Sequence, residues 1–125
     1  MVVIDSPAGG GELFSLVAGG VDRALILLTP DFQSLRNGDT IDRRLVELGV
    51  NRRSFVVNRV VQELWGSDAV PGLEQMTRTM RCRFAGILSE DPEVHVGNNT
   101  GVPCASDHNS YLYTVFRNIA LSADR

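Results

Sequence analysis

The chain has 125 residues, of which 43% are hydrophobic and 22% charged, and its formal net charge is −3. These values are typical of one globular domain with a single core, and the acidic balance argues against a nucleic-acid partner. No apolar stretch reaches the roughly 18 residues that span a bilayer, and the start lacks the basic region and apolar run of a signal peptide. We therefore expect a cytoplasmic protein with no membrane helix.

Short apolar runs predict four strands, at residues 2–4, 24–28, 55–57 and 84–88. Each run is continuous rather than alternating, which is typical of strands buried on both faces of a parallel sheet. The residues between the runs have helical spacing, at 13–17, 35–48 and, more weakly, 73–80. Gly49 stands where the second helix would end in a left-handed residue.

A last helix is predicted over residues 111–120, capped by Ser106 or Asp107. The alternation of strands and helices predicts an α/β domain with parallel strands joined by right-handed crossovers. Trp65, after the third strand, is interpreted as a partly buried packing residue. Arg52, Arg53, Arg81 and Arg83 flank strands and are expected to be solvated at the ends of the sheet.

The cysteines and histidines form no recognisable motif. Cys82 and Cys104 are too far apart for a CxxC pair and are interpreted as small apolar side chains. Cys104 and His108 have i, i+4 spacing, and Cys82 and His95 are conceivable further zinc ligands, but the intervening residues are typical of a loop. We therefore expect no metal held by these side chains.

Polar residues follow each predicted strand, and in an open parallel sheet those strand ends share the edge where ligands bind. The clusters are Asp5, Ser6, Pro7, Ala8 and Gly9; Thr29, Pro30 and Asp31; Asn58 and Arg59; and Ser89, Glu90 and Asp91. An acidic residue after a buried strand, as at Asp5, is the Walker B arrangement, in which the carboxylate holds the magnesium of a nucleotide, often through a water. For any single cluster, a role in caps and turns remains an alternative.

The motifs VVIDSPAG, LLTPD, VVNRV, GILSEDPEV, NNTGVP and FRNIA occur in the order and spacing of the MinD branch of the MinD/ParA family of deviant Walker-A ATPases. The chain resembles this family over nearly its whole length, but only over the second half of the family's domain. The resemblance implies a P-loop NTPase-like, Rossmann-like fold that is incomplete, with residues 1–125 forming a single partial domain. It also implies an ATPase that uses ATP and Mg²⁺, dimerises and positions the bacterial division septum.

The resemblance assigns roles to the residues that match the family's motifs. Asp5 matches the Walker B aspartate, and residues 6–9, including Ser6, Pro7 and Gly9, match the switch segment that senses the γ-phosphate. The positions that line the family's adenine pocket are matched by Asn58, Arg59, Ser89, Glu90 and Asp91. The family's surface for dimerisation and partner binding is matched by Thr29, Pro30 and Asp31 and, on the following helix, by Arg36 and Asp39.

The chain also departs from the family. It has no Gly-x-Gly-Lys-Thr/Ser stretch and no lysine at all, so the triphosphate lacks its usual cradle. The family's RDxD motif reads Arg36-Asn37-Gly38-Asp39 here, which loses a carboxylate at Asn37 and places a helix-weakening glycine beside it. The sequence ends soon after FRNIA, and the amphipathic membrane-targeting helix of the family is not seen.

These departures from the family bear on whether the chain folds and binds ATP by itself. Without the phosphate-loop strand, the strands at 2–4 and 24–28 would have unpaired edges, which predicts that they pair again or that another chain covers them. The expected partners are a second copy, a separate N-terminal half, or a cell-division regulator protein. We expect a fragment related to septum positioning that does not bind or hydrolyse ATP alone. The alternatives are a non-catalytic interaction module and a remnant of a truncated gene.

Overall fold

A computed structural model describes residues 1–6 and 8–125 of the chain. Its helices and strands alternate through most of the sequence, as the apolar runs predict. In chain order they are α1 (Glu12–Ala18), β1 (Arg23–Leu28), α2 (Phe32–Glu47), β2 (Arg52–Val60), α3 (Leu73–Thr79), β3 (Arg83–Ser89), α4 (Pro92–Thr100) and α5 (Tyr111–Asp124). The predicted α/β class is therefore confirmed.

The described residues form one three-stranded sheet in the order β1-β2-β3, and both strand pairs are parallel. In the first pair, Leu25 lies opposite Ser54 and Leu27 opposite Val56. Because neighbouring residues of a strand point to opposite faces, Ile26 and Leu28 lie on the other face. The carboxyl ends of all three strands meet at one edge of the sheet.

The predicted first strand, at residues 2–4, is wrong. Val2, Val3 and Ile4 form no strand and are 86%, 80% and 53% exposed. A strand needs a hydrogen-bonded neighbour as well as apolar side chains, and β1 does not pair with this segment. An apolar run alone therefore overpredicts sheet structure.

The main core lies on the face of the sheet that α2 and α3 cover. Phe55 and Val57 of β2 are fully buried there, together with Leu28 of β1 and Met76 of α3. Trp65 packs against this core and is partly buried, which confirms its predicted role. On the opposite face, α5 packs mainly against β3.

Burial of β1 on both faces is the second expectation that the structure overturns. Ile26 and Leu28 are buried, but Leu25 and Leu27 are 42% and 60% exposed. The reason is that α5 lies over β3 and β2, so it leaves the β1 part of its face uncovered. In contrast, β2 is buried continuously from Ser54 to Val57, as a central strand should be.

The helix ends follow the sequence in part. Gly49 is left-handed as predicted, with φ of +81°. However, Ser110 caps α5, accepting a hydrogen bond from the Tyr113 N–H at 3.0 Å, and the predicted caps Ser106 and Asp107 instead lie in turns that precede the helix. Helix α4, which the apolar spacing did not predict, buries none of its residues.

Gly38 has a packing role in α2. A Cβ at this position would lie 2.3 Å from Leu28 Cδ2 of β1 and 3.4 Å from the sulfur of Met80. The missing side chain thus lets the helix approach the sheet closely. The propensity cost of the glycine is offset by contact with the core.

Candidate functional site

The ends of β2 and β3 bring together two of the predicted adenine-pocket residues. The Arg59 Nε donates a hydrogen bond to Glu90 Oε2 at 2.9 Å, although 31 positions separate the two residues. The Glu90 N–H donates to the carbonyl of Val60 at 2.9 Å, which holds the start of the β3–α4 loop beside the end of β2. Arg59 has φ of +59°, a left-handed conformation that is unusual for a residue other than glycine.

A third polar side chain completes this cluster of Arg59, Glu90 and His95. The Nε2 of His95, from the first turns of α4, lies 3.4 Å from Glu90 Oε1. The hydrogen bond from Arg59, and then that from His95, lower the pKa of Glu90 below its ordinary value. The carboxylate is therefore charged at neutral pH and held between two basic side chains at the carboxyl edge of the sheet.

The other residues predicted for this pocket have local structural roles. Asp91 caps α4, where its Oδ1 accepts a hydrogen bond from the Glu93 N–H at 2.9 Å. Asn58 Oδ1 accepts from the Arg59 N–H at 2.9 Å, which supports the left-handed turn. Ser89 is the last residue of β3 and pairs with Val60.

The Thr29-Pro30-Asp31 loop forms the cap of α2. The Asp31 Oδ1 accepts from the Ser34 N–H at 2.7 Å, and its Oδ2 accepts from the Thr29 hydroxyl at 2.5 Å. These two bonds, the Thr29 bond first, lower the pKa of Asp31. The carboxylate therefore serves the helix N-terminus, as the cap alternative predicts.

Arg36 and Asp39 lie one turn apart on α2. Arg36 is exposed, whereas Asp39 Oδ2 accepts a hydrogen bond from Arg43 at 2.7 Å and its Oδ1 is buried with no partner among the described residues. A shallow cleft of about 490 Å³ lies beside Asp39 and Arg43 and is also lined by Gly10. Of these two predicted surface residues, Arg36 is thus accessible and Asp39 is largely buried.

The predicted Walker B segment does not join the cluster at the sheet edge. Asp5 is exposed, and within residues 1–6 and 8–125 no hydrogen bond or ion pair links it to the loops after β1, β2 and β3. Gly9 is also exposed, with φ of +103°, and Ser6 is half-buried. Pro7 lies outside the described residues. The catalytic and switch roles of residues 5–9 therefore stay predictions.

Sequence reasoning missed a buried polar network under α2. Asp42 is fully buried, accepting from Arg53 Nε at 2.6 Å and from the Arg81 N–H at 3.0 Å. The prediction that Arg53 is solvated is wrong, because its side chain is only 10% exposed in this ion pair. The signal was present in the sequence, since Asp42 lies between Ile41 and Leu45 on the apolar stripe of an amphipathic helix.

Cys82 lies next to this network and is half-buried against the core. Burial, followed by the negative charge of Asp42, raises the pKa of the Cys82 thiol to about 12. The thiol is therefore protonated at neutral pH and unsuited to nucleophilic chemistry. Among the described residues, no three His, Cys, Asp or Glu side chains are grouped to hold a metal ion.

Comparison with known proteins shows what the chain is similar to. The sequence is 29% identical over 120 residues to the septum site-determining protein MinD of Bacillus subtilis, covering 95% of this chain and 45% of that protein. The structure superimposes on the MinD cell division protein of Aquifex aeolicus with a TM-score of 0.84 at 26% identity, covering 94% of this chain and 50% of the other. The chain is homologous to about half of MinD.

The same relationship extends to MinD in a complex. The MinC:MinD cell division protein complex of Aquifex aeolicus matches with a TM-score of 0.81 and 26% identity. The chain spans about half the length of the MinD proteins that it matches, and no family model matches it. Within the described residues, no helix is long and apolar enough to cross a membrane.

Proposed function

We propose that this chain is a MinD-type partial domain related to septum-site positioning, and that it does not bind or hydrolyse ATP alone. The observation that carries the proposal is the separation of the two sides of a nucleotide site. Arg59 and Glu90 meet at the carboxyl edge of the sheet, whereas Asp5 follows an exposed segment that is not part of the sheet. A metal-holding carboxylate and an adenine-side cluster act together only when one rigid fold fixes both.

The phosphate groups pose the larger difficulty. In P-loop proteins, backbone N–H groups of a glycine-rich loop and a lysine hold the triphosphate, and this chain contains neither that motif nor any lysine. The glycine-rich stretch at residues 9–11 precedes the seven-residue helix α1, and Gly10 and Gly11 are exposed. The residues present therefore do not fit ATP and Mg²⁺ without groups that these 125 residues do not supply.

Equilibrium titration with a fluorescent ATP analogue and Mg²⁺ tests the proposal. We expect no saturable binding by the chain alone, and no change on substitution of Asp5→Ala. The matched control is Asp22→Ala, which removes another exposed carboxylate. Saturable binding that Asp5→Ala abolishes and Asp22→Ala preserves would show that the chain assembles a nucleotide site, and would refute the proposal.

A second candidate function is that of a non-catalytic interaction module, for which the accessible face of α2 is the supporting observation. Arg36 is exposed on this helix one turn before Asp39, and a MinD relative forms a complex with MinC. We would measure binding to a MinC-type regulator by co-sedimentation. Arg36→Glu should weaken it, whereas Arg78→Glu on α3, also an exposed arginine, should not. Equal effects of the two variants would exclude this surface.

A further inference from the structure

Each strand of the sheet begins with an arginine, and the three arginines lie in one row. They are Arg23 of β1, Arg52 of β2 and Arg83 of β3. Arg23 lies opposite Arg52, and Arg83 lies opposite Ser54, which is two residues after Arg52. Because residues two apart in a strand share a face, the arginine row lies on one face of the sheet, at the edge formed by the amino ends of the strands.

The arginine row meets the last turn of α5, which packs on the same face of the sheet. Arg23 forms an ion pair with Asp124 Oδ1. Arg83 Nη2 donates a hydrogen bond to the carbonyl of Ser122, and Arg52 Nη2 donates to the carbonyl of Asp124 at 2.8 Å. The three guanidinium groups are thus gathered around a single helical turn.

A carboxylate neutralises only one of the three positive charges. Asp124 pairs with Arg23, whereas Arg52 and Arg83 contact uncharged carbonyl groups of α5. Within the described residues, neither of these two arginines forms an ion pair, and the exposed Asp22, which precedes Arg23, forms none either. Neighbouring like charges in a sheet are destabilising, so an anion bound between Arg52 and Arg83 would stabilise the arginine row.

The two unneutralised arginines also keep hydrogen-bond donors for a ligand. A guanidinium group has five N–H donors, and the hydrogen bonds of Arg52 and Arg83 to the rest of the described chain use only Nη2. Their Nε and Nη1 groups therefore have no protein acceptor there. Both residues are exposed, so a ligand can reach these donors from solution.

We propose that Arg52 and Arg83, with Arg23 beside them, bind a phosphate-bearing anion at the amino edge of the sheet. A phosphate group carries up to two charges at neutral pH and at least three strong acceptor oxygens, which match two unneutralised guanidinium groups. A carboxylate has one charge and two oxygens and matches them less well. The site lies at the opposite edge of the sheet from Arg59 and Glu90 and does not depend on the proposed function.

Titration with inorganic phosphate, followed by ¹H–¹⁵N NMR spectra of the 13.7 kDa chain, tests the site without nucleotide or Mg²⁺. We expect saturable binding with a dissociation constant on the order of 1 mM at low ionic strength, weakening as salt screens the charges. The Nε–H signals of Arg52 and Arg83 should shift most. That of Arg117, which is exposed elsewhere on α5, should not shift.

Substitutions separate the arginine row from other arginines. Arg52→Gln and Arg83→Gln should each weaken phosphate binding about tenfold, because each removes one charge and its charge-assisted hydrogen bonds. Arg117→Gln makes the same change at an exposed arginine outside the row and should leave binding unchanged. Arg52→Lys covers the case in which Arg52→Gln fails to fold: it keeps the charge beside α5 but loses the planar set of donors, and should weaken binding several-fold.

The phosphate group has two possible sources, a soluble phosphate compound and the headgroup of an anionic lipid, and vesicle sedimentation separates them. Binding of inorganic phosphate without sedimentation identifies a soluble ligand. Sedimentation with vesicles of phosphatidic acid and phosphatidylcholine, but not with phosphatidylcholine alone, identifies a lipid headgroup when Arg52→Gln abolishes it. Either result supports the site.

The proposal fails if neither inorganic phosphate nor phosphatidic acid binds. It also fails if Arg117→Gln weakens binding as much as Arg52→Gln, since that would indicate a general attraction to positive charge. Loss of phosphate binding in Arg59→Gln but not in Arg52→Gln would place the ion at the carboxyl edge of the sheet and would overturn the proposal as well. Because no nucleotide is present, none of these results bears on ATP binding.

Discussion

At the scale of single residues, Arg59 combines an ion pair with an unfavourable backbone conformation. Its φ of +59° costs roughly 1–2 kcal/mol for a residue with a Cβ, while its ion pair with Glu90 is exposed and of small worth. The conformation aims the side chain at Glu90 across the strand ends. Such local strain at a sheet edge is typical of positions selected for a site.

The backbone strain at Arg59 predicts an order of stability among variants at this position. Arg59→Ala and Arg59→Gly both remove the ion pair, but only glycine also relieves the backbone strain. We expect the glycine variant to be more stable than the alanine variant by about 1 kcal/mol in urea unfolding. At the neighbouring strand position Asn58, where φ is not positive, the order should be reversed. If Arg59→Ala is as stable as Arg59→Gly, the backbone at position 59 is not strained and the prediction fails.

Asp31 provides a prediction for pH dependence. Its hydrogen bonds to Thr29 and Ser34 lower its pKa in the folded state, so folding favours the charged form. The resulting stability is present above the ordinary value of 3.8 and is lost as pH falls through the lowered folded pKa. The stability advantage of wild type over Asp31→Ala, about 1 kcal/mol near neutral pH, should therefore shrink below about pH 4.

Urea unfolding of both proteins between pH 7 and pH 3 provides the measurement. Asp68→Ala, a change at an exposed loop carboxylate, serves as the control and should not reproduce the trend. A difference between wild type and Asp31→Ala that stays constant with pH would show that the cap does not depend on the charge of Asp31.

At the scale of elements, close approach between helices and the sheet depends on glycines. Gly38 brings α2 to Leu28 of β1, and Gly86 of β3 brings the sheet to α5, where an added Cβ would lie 2.6 Å from Ile119. Glycine has a low intrinsic propensity for helices and strands, so each glycine on its own would weaken the element that contains it. The contacts explain why the helices nevertheless pack where they do.

Substitution of Gly38→Ala should destabilise the protein despite the better helix propensity of alanine. Leu28 is only 2% exposed, so it cannot move aside freely, and overpacking of this kind costs about 1–3 kcal/mol. Asn37→Ala on the exposed side of the same helix should be neutral or stabilising. Leu28→Val removes the clashing methyl, and the loss in the Gly38→Ala/Leu28→Val protein should be smaller than the two single losses together. Additive losses would exclude a clash.

Several elements were predictable because their local signals agree with the fold. The apolar runs of β1, β2 and β3 and the stripes of α2 and α5 identify them correctly. The run at residues 2–4 carries an equally strong signal, but no neighbouring strand pairs with it. The shared edge of Arg59 and Glu90 is likewise predictable from parallel strands, whereas the contact of Glu90 with His95 depends on the loop geometry after β3. The burial of Arg53 depends on Asp42, a partner 11 positions away.

At the scale of the whole molecule, we expect local stability to be highest in β2 and lowest in α4. β2 has four consecutive buried residues, from Ser54 to Val57, whereas α4 has none. Local opening costs little free energy where few apolar contacts are broken. Amide hydrogens of α4 should therefore exchange with solvent well before those of β2.

Hydrogen exchange followed by mass spectrometry would measure this difference. Peptides covering α5, which buries Leu112 and Ile119, provide an internal comparison and should fall between the two. Protection of α4 equal to that of β2 would mean that α4 opens only with the whole fold, and would contradict the uneven distribution of stability.

The buried carboxylate of Asp42 also has a consequence for chain connectivity. It holds Arg53 and the N–H of Arg81, and these two groups lie on opposite sides of the loop at residues 66–72. The parallel pairing of β2 with β3 spans the same loop, and residues 66–69 are exposed. The two segments are thus linked by non-covalent contacts as well as by the peptide chain. A chain cut within residues 66–69 should remain one particle, joined by the pairing of β2 with β3 and by the hydrogen bond from the Arg81 N–H to Asp42.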